Sequence, residues 1–189
     1  MIDPAQPTHD ADLFTRSASR LATLFYASLS MLGQFEAVAV EALPQRHRTL
    51  LAHNDHMTVA LESYHQSPVS VAAVAEWQDE ASYARASLLS RQSDGAVVQF
   101  GMMRIWLGDL PAEAQLEITS KKAPLGRVLI DHDVLREVEL ITLWKIAPGP
   151  VLQQHLEVNG KAPIYGRSAQ ILVDDRPTVQ MLEIVKLPV

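Results

Sequence analysis

Apolar positions recur at two rhythms along the chain. From Asp12 they fall three and four residues apart, at Phe14, Ala18, Leu21, Phe25, Leu29 and Leu32. That spacing places them on one face of a helix. Such a stripe predicts core packing or contact with a second subunit, that is, a homodimer through the N-terminal helix. Gly33 and Pro44 punctuate the region, so residues 12–49 read as a helical extension of a single domain covering 12–189. Residues 1–11 hold two prolines and two aspartates without periodicity and read as a flexible arm. Met57, Ala60, Leu61 and Tyr64 define one face of a further helix, with Asn54 or Asp55 as its cap and Ser67-Pro68 as its end.

After Pro68 the rhythm changes to alternation. Val69-Ser70-Val71 begins a strand. Ser82 to Arg91 and Ala96 to Ile105 flank Gln92-Ser93-Asp94-Gly95, a strong hairpin signal. Pro111 to Ser120 and Pro124 to Asp131 read as short helices opened by proline. Val134 to Ile146 reads as a long strand, and Ala147 to Lys161 as a loop with about one helical turn. Ile164 to Val173 and Val179 to Leu187 form a last hairpin around Asp174-Asp175-Arg176-Pro177. Strands joined by hairpins pair antiparallel. Helices then cover one side of the sheet, so the predicted class is α+β.

Composition narrows the function classes. At 189 residues with 48% hydrophobic residues, the chain can bury a substantial core. A net charge of -6 argues against a nucleic-acid partner, which needs a basic face. The most apolar stretch, Leu21 to Val40, is interrupted by Ser28, Ser30, Gly33, Gln34 and Glu36, so no membrane span is expected. With no signal-like N-terminus and no cysteine, the expected location is cytoplasmic. Absent cysteine also excludes disulfides, thiolate metal sites and a cysteine nucleophile.

Seven histidines raise the question of a metal. His53 and His56 are three apart, His65 follows on the same helix, and His132 lies between two aspartates. None completes a metal signature, so no metal site is expected. There is also no G-x-S-x-G elbow, no P-loop and no dinucleotide fingerprint. Two strand charges remain. Alternation sets Arg85, Ser87 and Leu89 on one face, and Met181, Glu183 and Val185 on one face. Such charges are either exposed at an edge or buried with a partner.

Four stretches in order resemble the chorismate–pyruvate lyase family. Leu50 to Thr58, ending Asp55-His56-Met57-Thr58, is similar to the family's D-S-M-T helix. Arg85 to Gly95 resembles its R-E-I-L-L…D-G hairpin, with Ala86 in place of the glutamate. Pro124-Leu125-Gly126-Arg127-Val128-Leu129 resembles P-L-G-R-x-L. Tyr165-Gly166-Arg167, then Arg176-Pro177 and Glu183, resembles W-G-R…K-P…E. The resemblance covers roughly Leu50 to Val189. The first 49 residues have no counterpart, and 147–161 looks like an insertion near the mouth of the pocket.

The resemblance implies a six-stranded antiparallel sheet and an enclosed pocket for a small aromatic carboxylate. By motif, Arg85, Leu125 and Glu183 would bind it, with Met57 in the helical wall above. The implied reaction eliminates pyruvate from chorismate to leave 4-hydroxybenzoate, with Arg85 and Glu183 as catalytic residues and no cofactor. Arg85 would fork onto the ring carboxylate, and Glu183 would meet the C4 hydroxyl. The same architecture serves non-catalytic modules that sense small aromatic acids, which is the alternative reading.

Overall fold

The computed structural model describes residues 7–134 and 136–187. Seven strands form one sheet: β1 (Gly33–Val38), β2 (Val69–Gln78), β3 (Tyr83–Arg91), β4 (Val97–Ile105), β5 (Arg136–Pro148), β6 (Ile164–Val173) and β7 (Arg176–Val185). Their order across the sheet is β1-β5-β6-β7-β4-β3-β2, and every neighbouring pair is antiparallel. Six α-helices accompany it among the described residues: α1 (Pro7–Ala22), α2 (Gln45–Leu51), α3 (Met57–His65), α4 (Ala112–Ser120), α5 (Leu125–Asp131) and α6 (Pro150–Leu156). The α+β antiparallel class read from the sequence is the observed one, with seven strands in place of the six expected.

Helices cover both faces. On one face α2, α3, α4 and α5 bury Leu50, Leu51, Met57, Leu61, Ile118 and Leu129 over the odd-numbered positions of β3, β4 and β7. On the other, Ala18, Leu21 and Ala22 of α1 and Leu152 and Leu156 of α6 close over Phe100, Met102, Trp144, Leu182 and Ile184. Burying two layers in this way is what gives a single sheet two cores. The expected cover on one side is therefore joined by a second, smaller cover behind.

The N-terminal region departs most from the expectation. α1 starts at Pro7, inside the segment read as an arm, while residues 1–6 and the Phe14 side chain lie outside the described residues. The stripe does not continue as helix beyond Ala22. Leu29 and Leu32 are buried instead around a short 3-10 turn, and Gly33–Val38 is the edge strand β1 against β5. Only six residues long and half exposed, β1 gives too few alternations to register as a strand.

The segment 147–161 is also corrected. Pro150 opens a seven-residue helix whose Leu152 and Leu156, four apart, are fully buried on the face away from Arg85. It is a core element, and no residue of it lines the cavity described below. Neither Asn54 nor Asp55 caps α3. His56 stands at the cap position, and the Asn54 carboxamide oxygen accepts the Leu140 N–H at 3.1 Å. The last hairpin turns through Asp174 and Asp175, both at positive φ, the conformation that two-residue turns favour.

Candidate functional site

The sheet's registers assemble the site floor. Arg85, Ser87 and Leu89 of β3 lie opposite Met103, Gly101 and Gln99 of β4, and these lie opposite Met181, Glu183 and Val185 of β7. All of them point to the face covered by α2–α5, because alternation repeats every second residue. Above this floor sits a cavity of about 60 Å³. Arg85, Glu183, Leu125 and Met57, the four residues singled out by sequence, all line it. So do Ser87, Gln99, Gly101 and Arg167.

Helix packing forms the roof. α5 lies so close to α3 that a Cβ on Gly126 would stand 2.9 Å from the Thr58 hydroxyl. Only glycine permits this approach, which brings Leu125 and Met57 together over the floor. Arg127 then fastens the two helices, its Nη2 donating to Glu62 at 2.6 Å, while the other Glu62 oxygen accepts the Val69 N–H. The P-L-G-R stretch is thus largely a packing device, with Leu125 as its contribution to the cavity.

Arg85 is 2% exposed. Its Nη1 and Nη2 donate to the carbonyls of Ile118 and Ala123 at 3.2 and 3.3 Å, and its Nε has no partner. No carboxylate pairs with it among the described residues. Glu76, opposite it on β2, is taken by the Tyr83 hydroxyl at 2.7 Å and by Lys121 at 2.9 Å. Burial pushes the Arg85 guanidinium below its ordinary pKa, although an arginine stays charged at neutral pH. The cavity is therefore lined by a buried cation that no carboxylate contacts directly, Glu76 acting on it only at Coulombic range.

Glu183 differs. Its Oε2 accepts the Arg167 Nε–H at 2.8 Å, and Arg167 is fully buried. Arg167 also donates from Nη1 to the His53 carbonyl at 2.8 Å and from Nη2 to the Asp55 carbonyl at 3.0 Å. One guanidinium so ties the sheet floor to the loop that leads into α3. His53 keeps the matching tautomer: its Nε2 faces the Leu50 carbonyl, leaving Nδ1 to accept the Asp55 N–H. His56 lines the cavity beside it and accepts the Arg136 Nε–H at 2.6 Å. Burial, then the charges of Arg136 and Arg167, lower the His56 pKa to about 4, so it is neutral at pH 7.

Sequence reasoning passed over Arg167, Gln99 and Gly101 as site residues. Arg167 was within reach only as the end of the Tyr165-Gly166-Arg167 stretch; its place opposite Glu183 comes from the β6–β7 register. Gln99 and Gly101 carried no signal of their own; only the hairpin register against Arg85 places them. No group of three or more histidine, aspartate or glutamate side chains among the described residues is arranged to hold a metal. No described helix is long and apolar enough to cross a membrane.

No protein-family model matches this sequence, and no curated protein matches it. Solved structures do. PhnF from Mycobacterium smegmatis aligns with a TM-score of 0.54 at 14% identity, over 71% of this chain and 64% of that one. The effector domain of the same PhnF aligns with a TM-score of 0.55 at 14% identity, over 70% of this chain and 88% of the domain. A gene product from Staphylococcus aureus aligns with a TM-score of 0.50 at 6% identity, over 72% and 90% of the two chains. The chain thus spans less than two thirds of the whole PhnF chain but most of its effector domain. At these identities the likeness is one of fold, an α+β, chorismate lyase-like sheet.

Proposed function

We propose that this chain is a non-catalytic binding module for a small organic carboxylate, aromatic by the motif resemblance, with Arg85 as the anion receptor. The observation that carries the reading is the buried guanidinium of Arg85, which lines the cavity with no carboxylate in salt-bridge contact, the cavity's own Glu183 being paired with Arg167. Burying a lone charge is expensive, and an anionic ligand that forks onto it supplies the missing partner. The fold likeness to an effector domain supports the same direction.

The lining supports binding over chemistry. Three of the chain's six methionines, Met57, Met103 and Met181, line the cavity from its own side of the sheet. At about 60 Å³ it is well below the space an aromatic ring occupies, since a cavity of about 150 Å³ accommodates benzene. Unbranched thioether side chains are the ones that rearrange to admit a guest. A cavity that reshapes around its ligand suits sensing. Acid–base catalysis calls for a carboxylate free to move a proton, and Glu183 is committed to Arg167.

The lyase reading has its own observation, namely that Arg85 and Glu183 share one cavity. Two measurements separate the readings. Benzoate and benzamide are nearly isosteric and differ in charge, so benzoate should raise the thermal midpoint of the protein and benzamide should not. Incubation with chorismate should release no pyruvate above the spontaneous rate. Catalysed pyruvate release would establish the lyase, and equal shifts from benzoate and benzamide would remove Arg85 as an anion receptor.

A further inference from the structure

Gln99 is 5% exposed, lines the cavity, and makes no side-chain hydrogen bond among the described residues. Its Oε1 is buried without a partner. Its amide nitrogen lies 3.1 Å from the position a Cβ on Gly101 would take, so the amide leans over the gap left by that glycine. The gap sits between Ser87 and Glu183 in the middle of the floor. Buried side-chain polar atoms are nearly always partnered, and an exception inside a cavity points to a partner that arrives with a ligand.

We propose that Gln99 is the specificity residue of this cavity, selecting carboxylates that carry a hydroxyl or amino group at the end remote from the carboxylate. The inference rests on the carboxylate-binding reading and adds the second pole of the ligand. Arg85 lies opposite Met103, and Gln99 is four residues from Met103 along β4, about 13 Å of strand. The two orphaned polar groups, Arg85 Nε and Gln99 Oε1, therefore belong to opposite ends of one cavity. Leu125, Met57, Val138 and Ile171 supply apolar wall around it. A side-chain amide both accepts and donates, which matches a hydroxyl or an amine, whereas a bare C–H leaves the buried amide without a partner. Glu183 is the less suitable reader, because Arg167 occupies its Oε2.

The test is calorimetric titration of the intact chain with benzoate and with 4-hydroxybenzoate, which differ only in the remote hydroxyl. Wild type should prefer 4-hydroxybenzoate by roughly tenfold or more, because a site built around a hydroxyl rejects the analogue that lacks it. Gln99→Leu should lose the preference, binding benzoate and 4-hydroxybenzoate with affinities within about threefold of each other. Gln99→Met, unbranched and of similar length, gives the same readout if the leucine variant folds poorly. Wild type binding both acids equally would overturn the inference while leaving the carboxylate reading intact. A preference that survives both substitutions would overturn it as well. Failure of wild type to bind either acid would overturn the carboxylate reading and this inference with it.

Discussion

Arg85 and Arg167 carry the same charge at almost the same depth, 2% and 0% exposed, and differ in their partners. Arg167 neutralises Glu183 and holds two loop carbonyls, whereas Arg85 has two carbonyls and no carboxylate in contact. Their substitutions should therefore behave oppositely. Arg167→Met strands the buried Glu183 carboxylate and should destabilise the protein by about 3–5 kcal/mol in urea unfolding. Arg85→Met removes a buried charge that no carboxylate contacts and should leave the unliganded protein as stable as wild type or more so. Equal losses from both would show that Arg85 is an ordinary structural cation. Alternation set Arg85 with Ser87 and Leu89, and Glu183 with Met181 and Val185, and the motif resemblance put the two residues in one site. Neither could reveal the Arg167 partner, because pairing across β6 and β7 depends on a register fixed only when the hairpin closes.

His56 gives a pH dependence at the same scale. Its folded pKa of about 4 lies below the ordinary 6.5. Between those values the unfolded chain takes up a proton that the folded site refuses, so acid favours unfolding. The stability that neutral His56 contributes is present above pH 6.5, falls as the pH drops toward 4, and then levels off. Partial exposure limits the loss to about 1–3 kcal/mol. Burial lowers His47, His53 and His65 in the same direction, so His56→Gln should remove part of the slope. Urea midpoints at pH 7 and pH 4.5 read it directly. An unchanged slope in the variant would show that His56 takes up its proton without penalty.

At the scale of elements, the α3–α5 contact decides the shape of the roof. Gly126→Ala places a methyl 2.9 Å from the Thr58 Oγ1 and 3.3 Å from the His56 Cβ, so α3 must move. Overpacking of this kind costs about 1–3 kcal/mol, and here it should also weaken ligand binding because Leu125 and Met57 shift with the helices. Thr58→Ala in the same chain removes the nearer clash and should restore part of both losses, as thermal midpoints and titration would show. No recovery in the double variant would mean that the contact is not what positions the roof. Elements with strong local signals were legible in the sequence: two hairpins with turn residues, and two helices opened by proline. β1 and α6 were not. A six-residue edge strand offers little alternation, and a seven-residue helix bounded by Gly149 and Glu157 resembles a loop until Leu152 and Leu156 are seen to share a buried stripe.

At the scale of the molecule, one antiparallel sheet separates two layers with different work. The back layer, α1 and α6 over Phe100 and Trp144, is apolar core. The front layer encloses polar groups that the protein itself does not satisfy, Arg85 and Gln99. The motif resemblance reached this cavity and the fold. Choosing between turnover and binding needed the partners of Glu183 and Arg85, which are contacts between distant segments and leave no local pattern. The claim at the centre is that Arg85 receives a carboxylate, and calorimetric titration of wild type and Arg85→Met with 4-hydroxybenzoate tests it most directly. Wild type should bind one ligand per chain and Arg85→Met should give no measurable heat while unfolding at an unchanged or higher temperature. Binding of the same affinity by the methionine variant would contradict it.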